Sequence, residues 1–147
     1  MICNMRNLLL LTIIMITTFS CKPKEQYESL EKLNSMLIRI SEIEIEPNYL
    51  DEYLLILKEE SEASVRLEPG VISIYPMSQK ENPNEIRILE IYASKEAYES
   101  HLQTPHFQHY KTSTLKMVKS LRLVDMNAID LETMPSIFKK IETKETD

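Results

Sequence analysis

The chain has 147 residues, 43% of them hydrophobic, with 23 acidic against 17 basic side chains and a formal charge of −6. That length suits one compact domain. Its acidity disfavours nucleic acid and anionic lipid as binding surfaces, so no nucleic-acid partner is expected.

Arg6 precedes an apolar run, Leu8 to Ile16, interrupted only by Thr12. Such a run rises roughly 14 Å as a helix, about half a bilayer core, and is too short to span. A basic start, a short apolar core and small residues after it describe a secretory signal peptide. Thr17-Thr18-Phe19-Ser20-Cys21 then looks like a bacterial lipoprotein cleavage site, although Thr18 and Phe19 depart from the usual aliphatic and small residues. The expected organisation is a signal peptide at 1–20, a charged tether at 21–35 beginning with lipidated Cys21, a domain at 36–130 and a tail at 131–147. Ordinary secretion, or retention of the segment as an anchor, is the alternative. Cleavage would remove Cys3 and acylation would consume Cys21, leaving no thiol for a disulfide or a metal. The implied location is the bacterial cell envelope, lipid-anchored on the periplasmic or surface side.

Residues 36–45 alternate as a strand, but their apolar positions are 38 and 40, then 43 and 45. That change of phase predicts a bulge near Ser41. Pro47 suits a first helical turn. Leu50, Tyr53, Leu54 and Leu57 follow with helical spacing, while Asp51, Glu52, Lys58, Glu59 and Glu62 fall on the wet side. Glu68-Pro69-Gly70 reads as a turn in which glycine, present nowhere else in the chain, permits a positive φ.

Residues 71–77 predict a second strand, 79–84 a polar hairpin loop and 85–92 a third strand. Ile86, Ile88, Glu90 and Tyr92 share one face of that third strand, and Arg87, Leu89 and Ile91 share the other. Ser94 is a candidate cap for a helix over 95–102. Thr104-Pro105 restarts a helix, threonine as cap and proline at its first position, with Phe107, Tyr110, Thr114 and Met117 inward. Residues 120–128 close the domain as a strand, and Met134, Ile137, Phe138 and Ile141 allow a short amphipathic helix in the tail. The order β-α-β-β-α-β is the ferredoxin-like arrangement, an antiparallel α+β fold. Apolar residues on both faces of its strands call for a cover on the second face.

Glu68-Pro69-Gly70, Glu90-Ile91-Tyr92, His101 and Thr104-Pro105-His106-Phe107, in that order and spacing, resemble the antibiotic biosynthesis monooxygenase family and its quinol-monooxygenase-like members. The resemblance covers about 90 residues. It implies a dimeric α+β barrel, with the sheet of an identical subunit as the missing cover, and a pocket between the sheet and the broken helix. It implies Glu90, His101 and His106 as catalytic residues. Tyr75, Tyr92, Phe107 and Tyr110 become candidate walls for a small aromatic or quinol-like ligand, with Tyr75 and Tyr92 flanking it if their strands pair. No cofactor and no metal are implied. The activity would be a cofactor-independent monooxygenation of a quinol or polycyclic phenol, begun by a histidine base. Haem degradation on this fold relies on a tryptophan, which this chain lacks.

Plainer readings stand beside these. Glu90 could partner Arg87, Lys111 or a backbone amide, His101 could cap a helix end through the dipole, and the aromatic residues could be ordinary core. His106 sits near a helix start, where the dipole disfavours a positive charge and suits a general base. His109 reads as surface. A metal set drawn from Glu90, His101, His106 and His109 is disfavoured because His101 and His106 lie on either side of the helix break. Two other functions remain open: a dimeric small-molecule-binding lipoprotein without chemistry, and an isomerase of a small dicarbonyl.

Overall fold

The computed structural model describes residues 35–130, 133, 134 and 136. The signal segment, Cys21, most of the tether, and the tail positions Ile137, Phe138 and Ile141 lie outside the described residues. Elements follow in the order β1 (Leu37–Ile45), a 3-10 turn (Pro47–Tyr49), α1 (Leu50–Leu67), β2 (Val71–Ser78), β3 (Glu85–Tyr92), α2 (Lys95–His101), α3 (Pro105–Thr114) and β4 (Val118–Met126). The four strands form one antiparallel sheet in the order β2-β3-β1-β4. This is the ferredoxin-like α+β fold, with the second helix in two pieces. The last strand begins two residues earlier than its sequence pattern suggests, because Met117, with no exposed surface, closes the turn after α3 through its N–H to the Thr114 carbonyl.

The hydrophobic core lies between the helices and one sheet face. Tyr53 and Leu57 of α1 pack with Ile43, Ile45, Val71, Ile74, Ile86, Ile88, Tyr92 and Met117. The phase change in β1 has a different cause from the bulge expected near Ser41. Its pairing with β3 runs unbroken from Leu37 to Glu44, and its register shift with β4 falls at Glu44/Ile45. Arg39, Ser41, Ile43 and Ile45 all face inward, while Ile38 and Ile40 pair with Ile91 and Leu89 on the other face. Polar residues take two core-facing positions, and this mimics a slip in the apolar pattern.

The bulge lies in β2, between Val71 and Ser73. One extra residue reverses the facing of every later side chain in the strand. Val71 therefore pairs with Tyr92 on the core face, whereas Tyr75 pairs with Leu89 and is 61% exposed. Tyr75 and Tyr92 cannot flank one ligand; they stand on opposite faces of the sheet.

Gly70 corrects another expectation. Among the described residues none, glycine included, has a positive φ. What excludes a side chain is contact: a Cβ on Gly70 would come within 2.6 Å of the Ala97 Cβ in α2. Its carbonyl also accepts the Ala93 N–H at 2.8 Å, so the start of α2 is drawn onto the turn. Gly70→Ala is expected to destabilise by about 1–3 kcal/mol through overpacking, measured by urea denaturation. In an Ala97→Gly background the same change should cost less; an equal cost in both backgrounds would locate the constraint in the backbone instead.

Candidate active site

The inward stripe of α1 changes character along its length. Tyr53 and Leu57 are apolar anchors, but the same face continues through Glu60, Ser61 and Ser64, all buried. One further turn reaches Glu68, the residue that ends the helix in an extended conformation. Burying ionisable groups here is unfavourable unless each finds partners, and they do. Every buried side-chain nitrogen and oxygen among the described residues is hydrogen-bonded.

Glu68 is the hub. Its Oε1 lies 3.0 Å from Nδ1 of His101 and 2.5 Å from Nε2 of His106. His101 is the last residue of α2 and His106 the second of α3. Between them the Thr104 side chain accepts the Phe107 N–H and donates to the His101 carbonyl at 2.8 Å, while Pro105 needs no hydrogen-bond acceptor at the first helical position. The helix break therefore turns both imidazoles toward one carboxylate. His101 is almost fully enclosed, with Phe107 and Tyr92 ring centroids at 4.7 and 5.4 Å. His106 retains 19% side-chain exposure.

On the far side of His101, Nε2 lies 3.6 Å from Oε1 of Glu60, which also accepts the Ser64 hydroxyl at 2.8 Å. The two carboxylates are tuned in opposite directions. Burial pushes Glu60 above the usual carboxylate range, more than the Ser64 hydrogen bond and the histidines pull it down. Burial also acts on Glu68, but hydrogen bonds from His101 and His106 outweigh it and hold Glu68 below that range.

Glu90 lies on the inner sheet face, where it accepts the Ser41 hydroxyl and, at 2.9 Å, the Tyr92 hydroxyl. Its hydrogen bonds go to these hydroxyls rather than to a histidine, so the carboxylate that meets the imidazoles is Glu68. Arg87 pairs with Glu85 at 3.0 Å, not with Glu90. Burial, then the Glu90 charge, raise the Tyr92 phenol. Tyr110 shares a 2.7 Å hydrogen bond with Tyr53, and burial pushes it up to about 12. Phe107 lies against His101 and Tyr110. His109 is exposed, near Ser113.

These rings fill the space between the sheet and the broken helix. A groove of about 500 Å³ lies elsewhere, between α1 and β2, with Leu54, Val65, Ile74, Tyr75 and Met77 among its walls and no histidine. Of the residues expected at the site, Glu90, Tyr92, His101, His106, Phe107 and Tyr110 share the helix side of the sheet, and Tyr75 does not. Glu60 and Glu68 were not anticipated. Extending the Tyr53–Leu57 spacing by one and three turns would have found them.

The family model described as antibiotic biosynthesis monooxygenase matches residues 36–113. Among solved structures, one carrying that family name from Bacteriodes thetaiotaomicron is 49% identical, with a TM-score of 0.66, over 67% of this chain and 93% of that one. A protein named as a monooxygenase from Lactobacillus acidophilus is 30% identical, with a TM-score of 0.62, over 63% of this chain but only 44% of its own length. A Caulobacter crescentus protein of the same family name, at 18% identity and a TM-score of 0.62 over 71% and 99%, shares the fold. No curated protein matches the sequence.

The opposed carboxylates give stability a readable pH dependence. Glu68, lowered in the native state, contributes stability present above its ordinary value of 4.5 and lost as pH falls through the native value. Glu60, raised, contributes stability present below 4.5 and lost as pH rises toward its native value. The stability of wild type minus that of Glu68→Gln should therefore rise with pH below 4.5. The corresponding difference for Glu60→Gln should fall with pH above 4.5. Denaturant titrations from acid to neutral pH measure both slopes.

Proposed function

The chain belongs to the antibiotic biosynthesis monooxygenase family, and on that footing we propose that it oxidises a quinol or polycyclic phenol with O₂, using His106 as the base. The observation that carries this reading is the single Glu68 oxygen facing both imidazoles. An ionised carboxylate only accepts hydrogen bonds, so Nε2 of His106 carries the proton and Nδ1 keeps a lone pair. No hydrogen bond among the described residues engages that Nδ1. A carboxylate that fixes the tautomer and stabilises the imidazolium formed on proton uptake is the logic of an oriented general base.

The chemistry then draws its electrons from the substrate. His106 removes a phenolic proton; the phenolate passes one electron to O₂; the semiquinone and superoxide radicals join at a ring carbon. Loss of water from that adduct converts a hydroquinone and O₂ into a hydroxyquinone and H₂O, with atoms and electrons balanced. The Tyr110 phenol, held protonated by burial and able to accept from Tyr53, supplies a donor for the anion without competing for the base, whereas the Tyr92 proton is already given to Glu90. Glu90 orients Tyr92 in this scheme. Lipid attachment at Cys21 would place the site beside membrane quinols. The apolar outer face carrying Ile38, Ile40, Leu89 and Ile91 is the surface for a second subunit.

A binding-only reading draws on the groove beside Tyr75, which is apolar and separate from the histidines. Oxygen uptake with a panel of hydroquinones distinguishes the two. Wild type should consume O₂, with His106→Ala slower by about 10²–10⁴-fold and Glu68→Gln also impaired. Uptake that is absent throughout, or unchanged in His106→Ala, leaves binding as the function.

A further inference from the structure

We infer that Glu68, His101 and His106 form a binding site for one divalent transition-metal ion of the Zn²⁺ class, with Glu60 as the outer partner of His101. The donors are Oε1 of Glu68, Nδ1 of His101 and Nε2 of His106, all within 4.8 Å of one another. Two of the separations are already 3.0 and 2.5 Å. Bonds of about 2.0–2.2 Å to a tetrahedral ion place neighbouring donors roughly 3.4 Å apart, so the two short sides must open, and the third already lies within 4.8 Å. Two imidazoles and one carboxylate form a donor set for zinc or a similar ion. The helix break that separates the histidines in sequence is what brings them together.

The surroundings also match a metal site. A histidine ligand generally gives its other N–H to a carboxylate. Nε2 of His101 faces Glu60 at 3.6 Å, and Ser64 fixes that carboxylate from behind at 2.8 Å. His106, the most exposed of the three donors at 19%, offers the way in from solvent.

Metal and base chemistry exclude each other by proton placement. Ligation through Nδ1 moves the His101 proton to Nε2, toward Glu60. Ligation through Nε2 moves the His106 proton to Nδ1, the atom the base mechanism needs free. No net proton is lost from either ring; each changes tautomer. The bound ion therefore silences the base, a consequence that rests on the monooxygenase reading, whereas binding itself does not.

The test is an optical titration of the full-length, chelator-stripped protein with Co²⁺. One equivalent should give a visible d–d band without the sulfur-to-cobalt absorption that Cys3 or Cys21 would produce. His106→Ala, at a partly exposed position, and Glu68→Gln should abolish the band, and Glu60→Gln should weaken binding about 10–100-fold. No band in wild type, thiolate absorption, or equal affinity in His106→Ala overturns the site. Oxygen uptake separates the two readings. Zinc-sensitive turnover supports both. Cobalt binding with no turnover, or with zinc-insensitive turnover, keeps the metal site and defeats the base.

Discussion

Both halves of the broken helix are organised around one oxygen atom. Oε1 of Glu68 sits where α1 has just ended, and it meets an imidazole from the last residue of α2 and another from the second residue of α3. The Gly70–Ala97 contact two residues later brings α2 close enough for this to happen. Thr104 and Pro105 then restart the helix at an angle that returns His106 to the same carboxylate. Remove the acceptor, and two ring N–H groups lose their partner beneath the helix joint.

A domain of this size can rarely spare core volume for polar groups, since each buried and unpaired one costs about 1–3 kcal/mol. Here Ser41, Glu60, Ser64 and His101 all take buried positions, with Glu68 and Glu90 partly buried among them. An apolar set of similar volume would serve stability at least as well. Under the proposed function the network is acid–base machinery largely enclosed between the sheet and the helices. Its parts are pushed apart electrostatically: Glu68 is held ionised by the imidazoles, Glu60 is pushed toward its neutral form, and the phenols of Tyr53, Tyr92 and Tyr110 are kept protonated. Separated titrations in one enclosed space are what acid–base chemistry needs.

The element order, the capped restart at Thr104-Pro105 and the inward set of β3 were legible because they rest on local rules of period and capping. The partners of the carboxylate were not. Glu90 stands in an apolar strand and so draws the eye, whereas Glu68 reads as turn punctuation, and nothing local reveals that a helix 33 residues onward will deliver a histidine to it. Tyr75 misled for a similar reason: a single extra residue at Val71/Ser73 inverts its face, and bulges leave little trace in composition. In β1 the opposite holds: Arg39 and Ser41 at core-facing positions imitate a bulge that the strand lacks near Ser41. Arg39 is inward because Asp125 takes its guanidinium at 2.7 Å and Tyr98 lies beneath it.

The shared acceptor is most directly examined by ¹⁵N-edited NMR of the histidine ring protons. Two imidazole N–H resonances, from Nδ1 of His101 and Nε2 of His106, should be protected from exchange and shifted downfield, and both should move together in Glu68→Gln. If only one of them, or neither, responds to that substitution, Glu68 does not bridge the two rings, and the chemistry built on it has no foundation.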